Sequence, residues 1–384
     1  MGINLGEIKT IDVHCHPFIA NEKPYREEEF LRVLSLSVIP DMFKAGNMNR
    51  NGVYPGMNMY MQITIRKLAK YFSCEPVLEE VVKKRNELAK DFPLYTQELF
   101  DDVRLEGLLV DFGYPKPHIS HQEFRKNTGF ESLEIYRIEP VMDKLRNEHS
   151  NFSDFIDNYR LDLRSALEAN HVVGLKSIIA YRSGLDIGAK DEKKAKQDYA
   201  QFVKNERAVA KSLRDYCMHI AMEECTHTDK VMHIHTGVGD GEVVLPKSSP
   251  SLLIDMLREK NYENTKVHLV HGGYPWMDEA GFIASILPNV YLDISLQNPF
   301  AGHGVKRIIS QVFEFAPFNK VMYGSDSFTI PEMNWLGVKL FKECFEQVLD
   351  EWVELDYMDK DMAYLIGEMV LYRNFEAVYG KSGS

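Results

Sequence analysis

Two histidines separated by one residue follow an apolar run near the start of the chain, in the stretch KTIDVHCHPF (9–18). Because side chains alternate along a β-strand, Asp12, His14 and His16 are predicted to share one face. Imidazoles two residues apart stand roughly 6 to 7 Å apart at their Cα atoms, which allows both rings to bind one cation. A pair of hydrogen-bonded core histidines is the competing interpretation of this motif taken alone.

Further histidines and one aspartate occur at the ends of other short apolar runs. They are His233 and His235 in HIHTG, His268 and His271 in HLVHGGYP, and Asp326 in YGSDS. Imidazole nitrogens and carboxylate oxygens are the ligands that suit a divalent transition metal, with zinc, iron, manganese and nickel all chemically compatible. The pattern predicts one metal site, provided that the fold brings these strand ends together.

Eight apolar runs alternate with longer stretches of helical periodicity, a pattern typical of βα units and a parallel sheet. From the fifth run onward the starts fall at 231, 266, 290 and 320, comparable to the roughly 30 residues of one strand-helix-strand unit. The sequence therefore predicts an α/β fold, a single (β/α)8 TIM barrel over residues 1–384, whose strand ends surround one rim. The predicted strands are residues 9–14, 106–111, 134–138, 172–180, 231–235, 266–270, 290–294 and 320–323.

A helical insertion of about residues 20–99 is predicted after the first strand. Its position at the C-terminal mouth of the barrel, where substrates enter, suggests a lid. Within it we predict a helix at 27–36, an Asn- and Met-rich loop at 47–62 and a helix at 77–90. Further along the chain, long helices are predicted at 199–226 and, on the barrel wall, at 335–352.

Composition limits the function classes. With 45% hydrophobic residues, a formal charge of −12 and a pI near 5.6, the 384-residue chain can form a large core and is a poor partner for nucleic acid or anionic membrane. There is no apolar stretch of spanning length and no signal-peptide pattern. Five dispersed cysteines without a C-x-x-C pair argue against a disulfide framework. We predict a cytoplasmic protein with a small-molecule partner; a homo-oligomer is left open.

With these motifs in view, the sequence resembles the amidohydrolase superfamily of metal-dependent TIM-barrel enzymes. The resemblance rests on D-x-H-x-H (12–16), His235 with Thr236, His271 in HGG and Asp326 in GSD. The HGG and GSD forms look most like the amidohydrolase-2 branch. The run LKSIIAYRSGL (175–185) is similar to hydrolases related to the N-terminal domain of fungal FluG.

The resemblance implies that His14, His16, His235 and Asp326 bind a first divalent metal, with zinc preferred, and that His271 polarises the substrate or holds a second ion. A cation in such a site lowers the pKa of its water from about 15.7 to about 7, and Asp326 can shuttle the proton to a leaving amine. Hydrolysis of a C–N bond in a small acidic or aromatic amide is the first hypothesis. The alternatives are a decarboxylase, a sugar-acid isomerase and a non-catalytic metal-binding scaffold.

Lys176 lies inside an apolar run, where an unpaired ammonium is costly to bury. Three interpretations stay open: an ion pair with a core carboxylate, a contact to an acidic substrate group, or carboxylation by CO₂ to a metal-bridging carbamate, as the resemblance implies for some branches. Lys176 lies five residues before Tyr181, where the predicted strand meets the mouth, and this position is deeper than a bridging ligand would have.

Side chains around the predicted mouth are candidates for substrate binding. Arg182 suits a substrate carboxylate or a rim ion pair about equally, and Tyr181 and Trp276 are predicted substrate contacts. The remaining predictions are supporting or packing roles: His233 deeper in the barrel, His268 as structural, Asp293 and Ser295 as support for the ligands, and Tyr274 and Trp335 lining a pocket or packing.

Overall fold

Eight parallel strands form one sheet in the computed structural model, which describes residues 2–20, 23–36, 56–116, 118–205 and 208–380. Each strand pairs with the next in chain order, so the predicted (β/α)8 TIM barrel is confirmed. Strands buried on both faces in a parallel sheet are nearly continuously apolar, as VMHIH and VHLV are. The strands are β1 (Thr10–Cys15), β2 (Leu105–Val110), β3 (Leu133–Arg137), β4 (Val172–Ser177), β5 (Val231–His235), β6 (Val267–Val270), β7 (Val290–Asp293) and β8 (Val321–Met322).

Backbone hydrogen bonds join the two ends of the sheet. The Val13 amide donates to the Tyr323 carbonyl over 3.1 Å, and the Asp326 amide donates to the His14 carbonyl over 2.8 Å. These bonds bring the segment after β8 alongside β1. The last predicted ligand thereby comes to lie next to the first.

Sixteen α-helices surround the sheet in the described part of the chain. Asn58, Asp91, Ser120, Asn151, Asp191 and Asp359 cap helices by accepting a backbone N–H, as short polar side chains do at helix starts. The helices are α1 (Glu27–Val33), α2 (Met59–Phe72), α3 (Leu78–Leu88), α4 (Phe92–Val103), α5 (His121–Thr128), α6 (Ile138–Glu148), α7 (Phe152–Leu167), α8 (Glu192–Phe202), α9 (Lys211–Thr228), α10 (Ile254–Leu257), α11 (Met277–Ile286), α12 (Gln297–Phe300), α13 (Val305–Val312), α14 (Pro331–Glu354), α15 (Lys360–Glu368) and α16 (Asn374–Tyr379). None of the described helices is both long enough and apolar enough to cross a bilayer.

Short turns of other helix types connect several of these elements. They are the 3₁₀ turns Ile179–Tyr181, Leu245–Lys247, Pro250–Leu253, Lys260–Tyr262, His271–Gly273, Gly302–Gly304 and Phe318–Lys320, and the π turn Met369–Arg373. Two of them, Ile179–Tyr181 and His271–Gly273, directly follow strands β4 and β6 and shape the rim.

Among the described residues between β1 and β2 there are four helices, α1 to α4. The predicted helices at 27–36 and 77–90 correspond to α1 and α3 with slightly earlier ends. The predicted loop at 47–62 falls partly outside the described residues, and its last part is wrong because α2 begins at Met59. Helix α4 escaped prediction because its periodic run merges into β2. A lid role for this segment stays a prediction.

A buried ion pair fastens the α1–α4 segment to the barrel wall. Arg85 Nε of α3 lies 2.5 Å from Glu332 Oε1 of α14, and the Tyr95 hydroxyl donates to the same oxygen over 2.9 Å. The side chains of Arg85 and Glu332 are 4% and 0% exposed. Removing one partner of such a pair leaves the other charge buried without compensation.

We therefore expect Arg85→Met to lower the free energy of unfolding by about 3 to 5 kcal/mol. The matched control on the same helix is Lys83→Met, which breaks only the exposed pair with Glu80 and should cost less than about 1 kcal/mol. Urea denaturation of both variants measures the difference. Equal losses in the two variants would contradict the anchoring role of Arg85.

The single long helix predicted at 199–226 is wrong. The structure has two helices there, α8 and α9. Ala210, at the start of α9, has a left-handed backbone with φ of 44°, which ends helical continuity. The sequence pattern concealed the break because apolar residues recur at helical spacing on both sides of it.

The C-terminal helix α16 packs against the N-terminal end of the barrel. Phe375 joins the inner apolar cluster formed by Ile11, Val13, Leu109, Ile135, Val173 and Met322. Asn374 donates to the Phe318 and Val321 carbonyls, and Lys9 pairs with Glu376. Helix α16 thus closes the end of the barrel opposite the rim and brings its last residue, Tyr379, beneath the buried histidines.

Candidate metal centre

A β-bulge after Asp12 directs its side chain away from the two histidines of the H-x-H motif. The β1–β2 register shifts between Asp12 and Cys15, and such a bulge re-aims side chains at a strand end. The Asp12 carboxylate accepts from the Ser325 amide at 3.0 Å, the Ser325 hydroxyl at 2.5 Å and Asn334 at 3.3 Å. Burial raises the pKa of Asp12 to about 7. The predicted common face is therefore wrong for Asp12, which instead holds the segment before Asp326.

His14, His16 and Asp326 converge on one point. The Nε2 atoms of both imidazoles lie 3.3 Å from Asp326 Oδ1, and one ligand atom from each residue lies within 4.8 Å of the others. Asp326 has a left-handed backbone with φ of 56°. A non-glycine residue held in that region is uncommon and clusters at functional sites. The fold thus aims the eighth-strand carboxylate at the first-strand histidines.

His271 and His235 lie beside this cluster. His271 Nε2 is 4.0 Å from Asp326 Oδ2 and 3.1 Å from His235 Nδ1. His271 also has a positive φ of 69°. The strand ends of β1, β5, β6 and β8 therefore bring all five predicted residues to one place, with His14, His16 and Asp326 as the tightest group and His235 joined through His271.

Glycines of the HGG and GSD motifs allow this close approach of strand ends. Gly272 has φ of +51°, and a Cβ there would lie 2.8 Å from the Asp293 carbonyl oxygen. A Cβ on Gly324 would lie 2.9 Å from the Ser295 Cβ. Gly272 therefore requires both the backbone freedom and the space that glycine supplies, and Gly324 requires the space.

The donor atoms fit a divalent cation. The Asp326 Oδ1 and His235 Nε2 atoms are buried without a hydrogen-bond partner among the described residues, and buried polar atoms are rarely left so. His16 Nδ1 lies 2.9 Å from the Asp111 carbonyl oxygen, a bond that leaves Nε2 free to face the cation. Burial lowers the pKa of His14, His235 and His271 well below the usual range, which favours the neutral imidazoles that bind metals.

Lys176 stands next to this cluster. Its Nζ lies 3.2 Å from His14 Nε2, and burial lowers the pKa of its ammonium to about 8. Strand β4 ends at Ser177, not at the predicted residue 180, because a 3₁₀ turn begins at Ile179. The prediction that Lys176 lies too deep for a metal-bridging ligand is therefore wrong, because Lys176 is the penultimate residue of its strand.

Arg137 and Asp111 belong to the same site and escaped the sequence reasoning. Asp111 Oδ2 accepts from Arg137 Nε at 3.0 Å and Nη2 at 2.5 Å. Burial opposes ionisation of Asp111, but the Arg137 charge outweighs it, and the pKa of Asp111 falls below its usual value. The available signal was position: Asp111 ends a predicted strand, as His235 does, and Arg137 lies one residue before the end of another.

The three predicted substrate contacts differ in how close they lie to the histidines. The Tyr181 ring lies 4.6 Å from the His235 ring, and its hydroxyl accepts from the Asp240 amide at 3.1 Å. Arg182 is 37% exposed and lies 3.7 Å from Glu242, which is the rim ion pair. Trp276 is half-buried before α11 and makes no hydrogen bond or ring contact with these imidazoles in the described residues.

The residues predicted to support the site or to pack around it also differ in their surroundings. Trp335 is buried and donates to Asp102 over 2.8 Å, so its packing interpretation fits, while Tyr274 is half-buried. His233 lies 3.2 Å from the Tyr379 hydroxyl, deep in the barrel as predicted. His268, predicted to be structural, lies 2.8 Å from both the Tyr379 hydroxyl and Asp293 Oδ2. It therefore belongs to a buried polar network.

Comparisons with known families and proteins find similar sequences and structures. Residues 189–362 match the family model Amidohydro_2, described as amidohydrolase. Protein fluG of Emericella nidulans is 27% identical over 242 residues, which cover 59% of this chain and 28% of that protein. The chain thus corresponds to less than a third of FluG.

Solved structures share the fold over nearly the whole chain. A proposed metal-dependent hydrolase from Lactobacillus casei superposes with a TM-score of 0.86 at 24% identity, covering 99% of this chain and 98% of that one. Glucuronate isomerase from Caulobacter crescentus gives a TM-score of 0.70 at 14% identity, covering 99% and 92%. The family-model match and the relationship to FluG agree with the resemblance seen in the sequence: residues 189–362 are similar to the Amidohydro_2 family.

Proposed function

We propose that this chain is a metal-dependent hydrolase that cleaves an amide-type C–N bond in a small acidic or aromatic substrate. The observation that carries the proposal is Asp326 Oδ1, which has no hydrogen-bond partner within the described part of the chain and lies 3.3 Å from the Nε2 atoms of His14 and His16. We propose His14, His16, His235 and Asp326 as ligands of one divalent ion and prefer zinc, which suits a site of imidazoles and a carboxylate.

A divalent cation bound there would lower the pKa of its water from about 15.7 to about 7. Asp326 is the proposed acid and base of the reaction. Burial raises the pKa of its carboxyl, which makes the carboxylate a better proton acceptor than an exposed aspartate. It can take a proton from the attacking water and deliver that proton to the leaving nitrogen. His271, next to Asp326, is the second catalytic candidate.

The charges in the site favour an anionic substrate. Asp111, Asp293, Asp326 and Arg137 all act electrostatically on the Lys176 ammonium. Two cations thus oppose three carboxylates, and one bound divalent ion makes the local sum positive. Arg137 can offer its remaining N–H groups to a substrate carboxylate. We propose Tyr181, Arg182 and Trp276 as further substrate contacts nearer the solvent.

Lys176 is proposed to react with CO₂ when two metal ions bind. The ammonium first loses one proton to solvent, the resulting neutral amine attacks the carbon of CO₂, and loss of a second proton from the nitrogen gives the carbamate. Its closeness to His14 Nε2, 3.2 Å, supports this role, and its depressed pKa raises the neutral fraction. An unmodified Lys176 in the metal-loaded protein would favour a single ion.

A cytoplasmic location is also proposed, since all five cysteines are free.

Incubating the zinc-loaded protein with three substrate sets tests the reaction type. The sets are N-acyl amino acids and dicarboxylic monoamides, free aromatic carboxylic acids, and uronic acids. We expect amine or ammonia release from the first set only, and loss of that activity after a chelator removes the metal. The alternative is decarboxylation, and CO₂ release without amide cleavage would establish it. Interconversion of uronic acids would instead reveal an isomerase, and inactivity with metal bound would favour a scaffold.

A further inference from the structure

Aromatic rings form a continuous row that starts at the proposed metal centre and follows the barrel mouth. The Tyr114 ring centroid lies 5.3 Å from that of His16, and the Phe328 centroid lies 5.9 Å from that of Tyr114. Phe300 stacks on Phe328 with 6.1 Å between centroids and 20° between ring planes, and the Tyr60 ring lies 4.9 Å from Phe300. Tyr114, Phe328 and Phe300 are called the aromatic wall below.

Phe328, the middle ring of the aromatic wall, is held in place by its two neighbours in sequence. The Ser327 carbonyl accepts from the His16 amide at 2.7 Å, and the Thr329 amide donates to the Pro17 carbonyl over 3.2 Å. Thr329 has a left-handed backbone with φ of 68°, an outlier for a β-branched residue that persists only where the surrounding structure enforces it. The fold therefore fixes this ring beside the end of β1, where two of the proposed metal ligands lie.

The three rings of the aromatic wall keep part of their surface exposed. Tyr114 is 42% exposed, and Phe328 and Phe300 are half-buried, whereas Tyr60 at the end of the row is buried. Single exposed aromatic rings are common on protein surfaces, but contiguous apolar surface next to a cluster of polar groups is typical of a ligand-binding site. The wall therefore has ring surface that a ligand bound at the metal centre can cover.

Cationic side chains lie on a different part of the rim. Arg137 ends β3, and Lys176 is the penultimate residue of β4. Phe300 and Phe328 lie in the segments that follow β7 and β8. Because each strand of the closed barrel pairs with the next in chain order, the ends of β3 and β4 lie across the rim from those of β7 and β8. A molecule bound over the metal centre thus has cations on one side and aromatic rings on the other.

We infer that the aromatic wall binds an aryl group, so that the substrate of this site is an anionic molecule that also carries an aromatic ring. The inference rests on the proposed function for a substrate at the metal centre, and it narrows the substrate class from acidic or aromatic to both together. An aryl ring on the wall removes apolar surface from water. Each edge-to-face or offset-stacked ring pair adds about 2- to 10-fold in affinity beyond that burial.

Calorimetric titration of the protein with inert carboxylates, in the presence of zinc, tests the inference. The matched pairs are 3-phenylpropanoate with propanoate and 5-phenylpentanoate with pentanoate, whose two lengths allow for the span between the aromatic wall and the cations. In at least one pair we expect the phenyl compound to bind at least about 30-fold tighter than the alkyl compound, and at least about twofold tighter than its cyclohexyl analogue. Absence of a phenyl preference in both pairs, or equal binding of the cyclohexyl analogue, overturns the inference.

Substitutions in the aromatic wall provide the second readout. Phe328→Ala and Tyr114→Ala should each reduce the phenyl preference by about 10-fold, and Tyr114→Phe, which keeps the ring, should restore it. The matched control is Phe282→Ala, which removes an exposed ring of the outer helix α11 from a similar pair with Phe315, 5.8 Å between centroids. That variant should keep the phenyl preference within about twofold of the unmodified chain.

The phenyl preference compares two ligands in the same variant, so a general loss of folding or of zinc weakens both affinities and leaves their ratio unchanged. An undiminished preference in both Phe328→Ala and Tyr114→Ala would contradict the assignment of the wall. The carboxylates contain no amide, so the preference can be measured even if the hydrolase proposal fails. That failure would show itself separately, as absence of amine or ammonia release from N-acyl amino acids.

Discussion

Asp326→Asn is expected to lower the turnover of the proposed hydrolysis by about 10²- to 10⁴-fold, the range that loss of a positioned acid and base produces. The amide retains an oxygen near His14 and His16, which lie 3.3 Å from Oδ1, but it cannot accept a proton at neutral pH. Metal content should therefore fall less than turnover does. Steady-state rates and elemental analysis of the same preparation measure both quantities.

The matched control for this substitution is Asp240→Asn, because Asp240 is an exposed aspartate on the loop after β5. It should leave turnover within about twofold of the unmodified chain, as surface substitutions usually do. Unchanged turnover in Asp326→Asn would remove the carboxylate from the chemistry. A parallel loss of metal and turnover would reduce its role to that of a ligand.

Periodicity and motif spacing predicted correctly which side chains the fold brings together where this depends only on a residue's position along its strand. His235 ends its strand, His16, His271 and Asp326 follow theirs, and His14 lies one residue before the end of β1. The parallel barrel brings all such ends to one rim. The barrel itself followed from the regular spacing of short apolar runs. These inferences need only the order of elements, which the chain displays directly.

Predictions failed where local backbone geometry decided the outcome. The bulge after Asp12 sent its carboxylate to Ser325, and a strict two-residue alternation cannot show such a bulge. Strand β4 stopped at Ser177 because of a 3₁₀ turn, which moved Lys176 into the site. Each outcome depends on one or two residues of register that no hydrophobic pattern resolves.

Arg137 illustrates a different limit. The sequence did not mark Arg137 as a site residue because an arginine at a strand end can equally well face solvent. Only the fold shows that its side chain, which is 11% exposed, forms an ion pair with Asp111. Charge pairs between neighbouring strands depend on which strands are adjacent. Once the barrel order is accepted, the ends of β2 and β3 are adjacent, and the pair could then have been proposed.

His14→Ala is expected to remove most of the bound metal and, with it, the stability that metal binding adds. A ligand present at 1,000 times its dissociation constant stabilises the folded state by about 4.1 kcal/mol, and this gain shrinks as affinity falls. His14 lies in the tightest group of donors. His235→Ala should lose somewhat less metal because His235 reaches that group beside His271.

The control for both variants is His227→Ala, which changes an exposed histidine on α9. Zinc content after dialysis and melting temperature, each with and without added zinc, distinguish a ligand from a packing residue. A packing residue lowers the melting temperature equally in both conditions, whereas a ligand lowers it mainly when zinc is present, because only then does the unmodified chain gain binding energy. Full metal occupancy in both His14→Ala and His235→Ala would show that the cation, if bound, is held elsewhere, and the proposed reaction would lose its centre.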